Sequence, residues 1–278
     1  MPDFRLRPVA QPSRRIKLYC TFLAIDKAFY DYRSCHRPSL SDLMNYLLAL
    51  TLGACAAHGA WAQSLCASDG RATPTRLVER FVSADCEACW RAPQMPRTDR
   101  QALTIDWIVP TDQGDDAALS AAATPDARIR LDTLGHAAPA TSSITATRVE
   151  RSRANQLRVA HGSTVGAYIG AIIELRTTVK VRPEQPLSAW LILVETIPAG
   201  SDGTPVERNL VRNVLVSTWG APDHRSQAGP YLFRELRPMN VPQGAKPERL
   251  RLVGWVQNAQ GRVLSAARSV CATSRDPG

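Results

Sequence analysis

Residues 76–83 interleave the strand formers Leu77, Val78, Phe81 and Val82 with polar residues over a strand-sized run, which predicts a strand. A second strand is expected over 102–109, stopped by Pro110. Residues 115–123 predict a short alanine-rich helix with Asp112 as its N-cap. Residues 124–148 hold Pro125, Gly135, Pro139 and a Ser/Thr cluster, which predict turns and one short strand at 128–131. Beyond about residue 157 the texture changes. Runs rich in β-branched and apolar residues occupy 166–181, 187–197, 208–219, 231–236, 249–257 and 262–270. Asn258-Ala259-Gln260-Gly261 separates the last two as a hairpin-like turn. Strand-sized runs punctuated by Pro and Gly, without helical periodicity, predict an antiparallel sandwich or barrel there. No internal repeat, heptad or low-complexity tract interrupts the pattern.

The longest apolar run, residues 46–57, is of a different kind. A bilayer needs roughly 20 apolar residues, so this run is too short to span one. It has the length of a signal-peptide h-region and leads into Ala60-Trp61-Ala62-Gln63, a small-x-small cleavage pattern. Cleavage is expected between Ala62 and Gln63, which makes residues 1–62 a leader and leaves no stable membrane span after processing. A buried core helix is the alternative for this run. Leu52-Gly53-Ala54-Cys55 offers a lipobox-like alternative, with Cys55 as the lipidated residue.

Removing the leader changes the arithmetic. The whole chain of 278 residues carries a net charge of +9 and seven cysteines. Residues 63–278 keep 26 basic and 21 acidic side chains, a net charge of +5. They keep four cysteines, Cys66, Cys86, Cys89 and Cys271, an even count that suits an oxidising, periplasmic or secreted setting. Aromatic residues make up 6% of the chain and no basic cluster interleaves them, which argues against a nucleic-acid partner.

Cys86-Glu87-Ala88-Cys89 carries the most evident chemistry. It follows a predicted strand, where a thioredoxin-like fold places its redox pair. There a helix N-terminus stabilises the first thiolate, which attacks, and the second cysteine resolves the mixed disulfide. By that logic Cys86 is the nucleophile and Cys89 the resolving thiol, with the Glu87 charge opposing the thiolate. A static disulfide loop is the competing reading. Zinc would need two more ligands, and His136, His161 and His224 are scattered, so neither a metal nor a cofactor is expected. Cys66 and Cys271 lie near the two ends of the processed chain and are expected to pair. His161 beside Gly162-Ser163 lacks a nucleophile elbow, and Asp112, Asp115 and Asp116 lack the spacing of a calcium loop.

The segment 77–89, Leu-Val-Glu-Arg-Phe-Val-Ser-Ala-Asp-Cys-Glu-Ala-Cys, resembles the opening of domain-of-unknown-function family 1223, secreted bacterial proteins with a thioredoxin-like part and a β-rich part. Residues 206–215, Gly254-Trp255-Val256-Gln257 and Ser265-Ala266-Ala267 are similar to later segments of that family. Trp90 stands where the family has proline, and Pro139 is the candidate for its cis-proline. The resemblance implies an α+β chain, with a degenerate thioredoxin-like domain over 63–157, a β-sandwich-like domain over 158–272 and a tail over 273–278. The function it implies is thiol–disulfide exchange with a protein thiol or disulfide partner. The alternative is a non-catalytic envelope protein with two structural disulfides.

Overall fold

The computed structural model describes residues 66–93, 101–220 and 230–271. The expected leader, the Ala62–Gln63 cleavage point, Cys55 and the C-terminal tail lie outside the described residues. The strands, in chain order, are β1 (Cys66–Ala67), β2 (Arg76–Ser83), β3 (Ala102–Val109), β4 (Ser142–Arg148), β5 (Asn155–Val165), β6 (Tyr168–Thr177), β7 (Leu187–Ile197), β8 (Arg208–Trp219), β9 (Tyr231–Asn240), β10 (Leu250–Gln257), β11 (Val263–Arg268) and β12 (Val270–Cys271). Among the described residues two α-helices accompany them, α1 (Glu87–Trp90) and α2 (Pro125–Leu134), with three short 3-10 turns.

A five-stranded sheet runs β12-β1-β5-β6-β9, and a seven-stranded sheet runs β11-β10-β7-β8-β3-β2-β4. The expected α+β architecture with a thioredoxin-like first part is therefore wrong. Strands from the early and late parts of the chain share the seven-stranded sheet, and the two α-helices have only four and ten residues. The join is at β3 and β8, which run parallel and meet at Asp106 and Leu210. The fold is β-rich, mostly antiparallel, with β2–β3 and β3–β8 as parallel pairs within the large sheet.

Burial explains the continuous apolar run of β7. In a strand, successive side chains point to opposite faces. Ala189, Leu191 and Leu193 face the small sheet and pack with Val159, Ile173 and Phe233. Trp190, Ile192 and Val194 face the other way and join Leu77, Phe81, Trp107, Leu131 and Trp255. A strand buried on both faces loses the alternation a half-exposed strand would show. Gly254 permits the close approach of the two sheets, because a Cβ there would lie 2.6 Å from Val159 Cγ1.

Helix α2 replaces the short strand expected at 128–131. Its start is capped by Thr124, whose hydroxyl accepts from the Asp126 N–H, with Pro125 in the first turn. Its end is Gly135 at φ 69°, a left-handed position that glycine adopts without a Cβ clash. The helix expected over 115–123 is instead a pair of 3-10 turns, Gly114–Asp116 and Ser120–Ala122. Strand β4 occupies residues expected to be turns, and β5 lies ahead of the first strand run expected in the later part of the chain, 166–181.

Candidate redox site

The Cys-x-x-Cys segment sits where β2 leaves the sheet, in the crossover to its parallel neighbour β3. The Ala84 N–H donates to the Val109 carbonyl, 2.9 Å away, so the chain is still tied to the end of β3 as it turns. The Cys86 N–H then donates to Ser83 and starts α1, with Cys86 as the N-cap residue. Thr111 donates to the Asp85 carboxylate at 2.7 Å and fixes the outer side of the turn.

Cys86 and Cys89 are joined by a disulfide with their Cα atoms 5.2 Å apart. Both are half-buried against a small apolar cluster that includes Val82, Ala84, Trp90, Ile108, Ile197 and Leu210. Asp85, Glu87 and Ala88 are exposed. The helix that follows is a single turn, so its dipole is small. Glu87 pairs with Arg91 one turn on, an exposed contact that contributes little to stability.

A buried charged network holds this turn from beneath. Asp106, at the centre of β3, accepts from Arg80 of β2 and, at 3.2 Å, from Arg208 of β8. The Asn209 N–H donates to the same carboxylate at 2.8 Å. Arg208 reaches further, donating to the carbonyls of Cys89 at 3.1 Å and Trp90 at 2.9 Å. Its guanidinium also lies 5.0 Å from the Trp90 ring centre, and Trp90 Nε1 donates to the Asp202 carbonyl. Burial pulls the Arg80 guanidinium below its ordinary range, with Asp106 opposing that shift and Arg208 adding to it.

Sequence reasoning missed this network. The signal was a carboxylate in the middle of the apolar run Thr104-Ile105-Asp106-Trp107-Ile108, a position that stays charged only if a partner is buried with it. Replacing Arg208 with lysine keeps a charge near Asp106 but gives up the planar fork that reaches Asp106, Thr204 and the two carbonyls at once. Arg208→Lys is expected to cost about 1–3 kcal/mol in urea unfolding, the range for unsatisfied buried groups. Stability within 0.5 kcal/mol of the parent would mean, at the level of an ordinary surface change, that the cap is dispensable.

The described peptide bonds are all trans, so Pro139 supplies no cis-proline. It lines a small cleft on the far side of Asp85 with Pro110 and Arg128. Beside Trp90 a second cleft of about 270 Å³ is lined by Leu119, Ala122, Ile197 and Leu210, with Glu195 and Lys246 among its charged residues.

The other two cysteines are joined as well. Cys66 and Cys271 pair across β1 and β12 and form a disulfide spanning 205 residues of sequence. On the other side of β1, Cys66 lies opposite His161 of β5. His161 is buried, and its Nδ1 lies 2.9 Å from the Gly162 carbonyl. Burial pushes the imidazole below its ordinary range; the Gly162 hydrogen bond opposes this and the Arg251 charge adds to it. His136 is exposed after α2, and His224 lies outside the described residues. Among the described residues no helix is long and apolar enough to cross a membrane.

No family model matches the chain, and no curated protein matches it. Among solved structures it is similar to HBP35 of Porphyromonas gingivalis, at 12% identity and a TM-score of 0.39, over 72% of this chain and 76% of that one. A likeness of that size carries no argument about fold or function.

Proposed function

We propose that this is an exported, periplasmic or secreted protein whose Cys86–Cys89 pair exchanges disulfides with a protein thiol. The observation that carries the reading is a half-exposed disulfide on a tight turn, with exposed neighbours at Asp85, Glu87 and Ala88 and a cleft of mixed apolar and charged lining beside Trp90. In the oxidised form a partner thiolate attacks the Cys86 sulfur and the Cys86–Cys89 bond breaks, leaving Cys89 as the thiolate. A second partner thiol then attacks the mixed disulfide, releasing the partner oxidised and both cysteines reduced. The reverse direction uses Cys86 as the nucleophile and Cys89 as the resolving thiol. The cleft lined by Trp90, the residue after Cys89, is where a partner chain would rest. Two disulfides among the described residues suit an oxidising compartment.

A second reading has its own support. Arg208 clamps the carbonyls of Cys89 and Trp90, as expected of a turn built to stay still. On that reading the protein is a non-catalytic envelope protein and both disulfides are structural.

A redox titration separates the two, with Cys86→Ser and Cys89→Ser as controls. Exchange chemistry predicts a potential of roughly −120 to −270 mV for this pair and reductase or isomerase activity lost in both controls. A bond that stays oxidised below about −300 mV, with no such activity, belongs to the structural reading.

A further inference from the structure

We propose that Cys66, His161 and Cys271, when the two cysteines are reduced, form a three-coordinate site for a soft monovalent cation, Cu(I), and that the disulfide is the closed, ion-free state of that site. This stands independently of the Cys86–Cys89 chemistry. The three residues lie side by side on β5, β1 and β12, and their two sulfurs and one imidazole nitrogen are all within 4.8 Å of one another. Strand pairing brings them together from positions 66, 161 and 271, which is why spacing along the chain does not reveal them.

The histidine is the decisive member. Its Nδ1 faces the Gly162 carbonyl, which can only accept, so Nδ1 carries the proton. The lone pair is then on Nε2, which is buried and has no hydrogen-bond partner among the described residues. An uncharged, oriented imidazole with its other N–H held by a backbone carbonyl is the arrangement metal-binding histidines adopt. For a purely structural disulfide, that bare nitrogen is an unexplained cost.

Two features favour a monovalent soft ion. Two thiolates and one imidazole supply three ligands of the kind Cu(I) takes, whereas zinc sites close with four. Two thiolates on one Cu(I) leave a net charge of −1, which the nearby Arg251 charge favours. The site can also open. β12 is a two-residue strand at the edge of the small sheet, and Cys271 is only partly buried, so that side can shift to admit an ion.

The steps balance. An external dithiol gives two electrons and two protons to the Cys66–Cys271 bond and becomes a disulfide. Cu(I) then displaces one proton from each thiol to solvent. In reverse, a disulfide takes two electrons from the bound thiolates, two protons from solvent complete its two thiols, and Cu(I) leaves as Cys66–Cys271 closes.

The test uses the full chain with Cys20, Cys35, Cys55, Cys86 and Cys89 replaced by serine, so that Cys66 and Cys271 are the remaining cysteines. The protein is reduced without oxygen and titrated with Cu(I) against a bicinchoninate competitor. The expected result is one bound equivalent, lost in Cys271→Ser, weakened about tenfold or more in His161→Gln, and absent when the disulfide is closed. Folding of each variant is checked by circular dichroism. If reduction unfolds the protein, Cu(I) is expected to restore the folded spectrum. Equal affinity in His161→Gln, equal binding by the oxidised protein, stoichiometric Zn(II) binding without Cu(I) binding, or unfolding that Cu(I) does not reverse each overturns the proposal.

Discussion

Replacing Arg130 with methionine is expected to destabilise the protein by about 3–5 kcal/mol, the cost of stranding a buried charge. The charge left behind is Glu79. Arg130 meets it with two hydrogen bonds, Nε to Oε1 at 2.8 Å and Nη2 to Oε2 at 2.7 Å, and both side chains are almost wholly buried. The guanidinium also donates to Gln257 at 3.3 Å and lies 4.8 Å and 5.0 Å from the ring centres of Trp190 and Trp255. Methionine fills much of the volume but supplies no donor. Glu79 would keep a single side-chain bond, from Trp107 Nε1 at 3.2 Å. Urea unfolding measures the loss as a drop in midpoint with little change in slope. Changing both residues, Glu79→Leu with Arg130→Met, is expected to recover most of it, because removing both charges can be neutral or favourable. A loss below 1 kcal/mol in the single variant would show that the pair is not the desolvated contact its burial implies.

Removing the Cys66–Cys271 bond, with serine at both positions, is expected to cost about 5 kcal/mol on the chain-entropy account. The bond spans 205 residues, nearly the whole described chain, so it restricts the unfolded ensemble heavily. It also has a local role. β1 and β12 have two residues each, too few to hold by pairing alone. Unfolding of the oxidised protein and the double serine variant, side by side, measures the difference. A change under 1 kcal/mol would mean that residual structure already confines the unfolded chain.

Strands of the sheet core were legible in the sequence because burial and propensity agree there. The bounds of β2, β3, β7 and β8 match the runs read from residues alone. Helix α2 was not legible, and Arg130 is the reason. Arg128-Ile129-Arg130-Leu131 alternates like a strand, yet Arg130, which looks polar, is buried as deeply as Leu131, while Ile129 is exposed. The start signals Thr124-Pro125 and the stop at Gly135 were present and outranked by that false period. The α+β expectation failed for a longer-range reason. It followed from one motif and its usual surroundings, whereas the architecture turns on β3 pairing with β8, about a hundred residues away. The candidate site divides in the same way. The vicinal cysteines announce themselves, but Arg208 beneath them and His161 beside the other pair become neighbours only through strand pairing.

Glu79 and Arg80 are consecutive in β2, and the pleat sends them to opposite faces of the sheet, one to Arg130 and the other to Asp106. A slip of β2 by one residue against its neighbours would send each to the other face of the sheet. In one direction Glu79 would come to face Asp106, and in the other Arg80 would come to face Arg130, so either slip breaks both attractive pairs and buries a like-charged contact. Apolar neighbours such as Leu77 and Val78, or Phe81 and Val82, could trade places at far smaller cost. The two charges thus act as a key with opposite teeth, admitting β2 between β3 and β4 in one alignment.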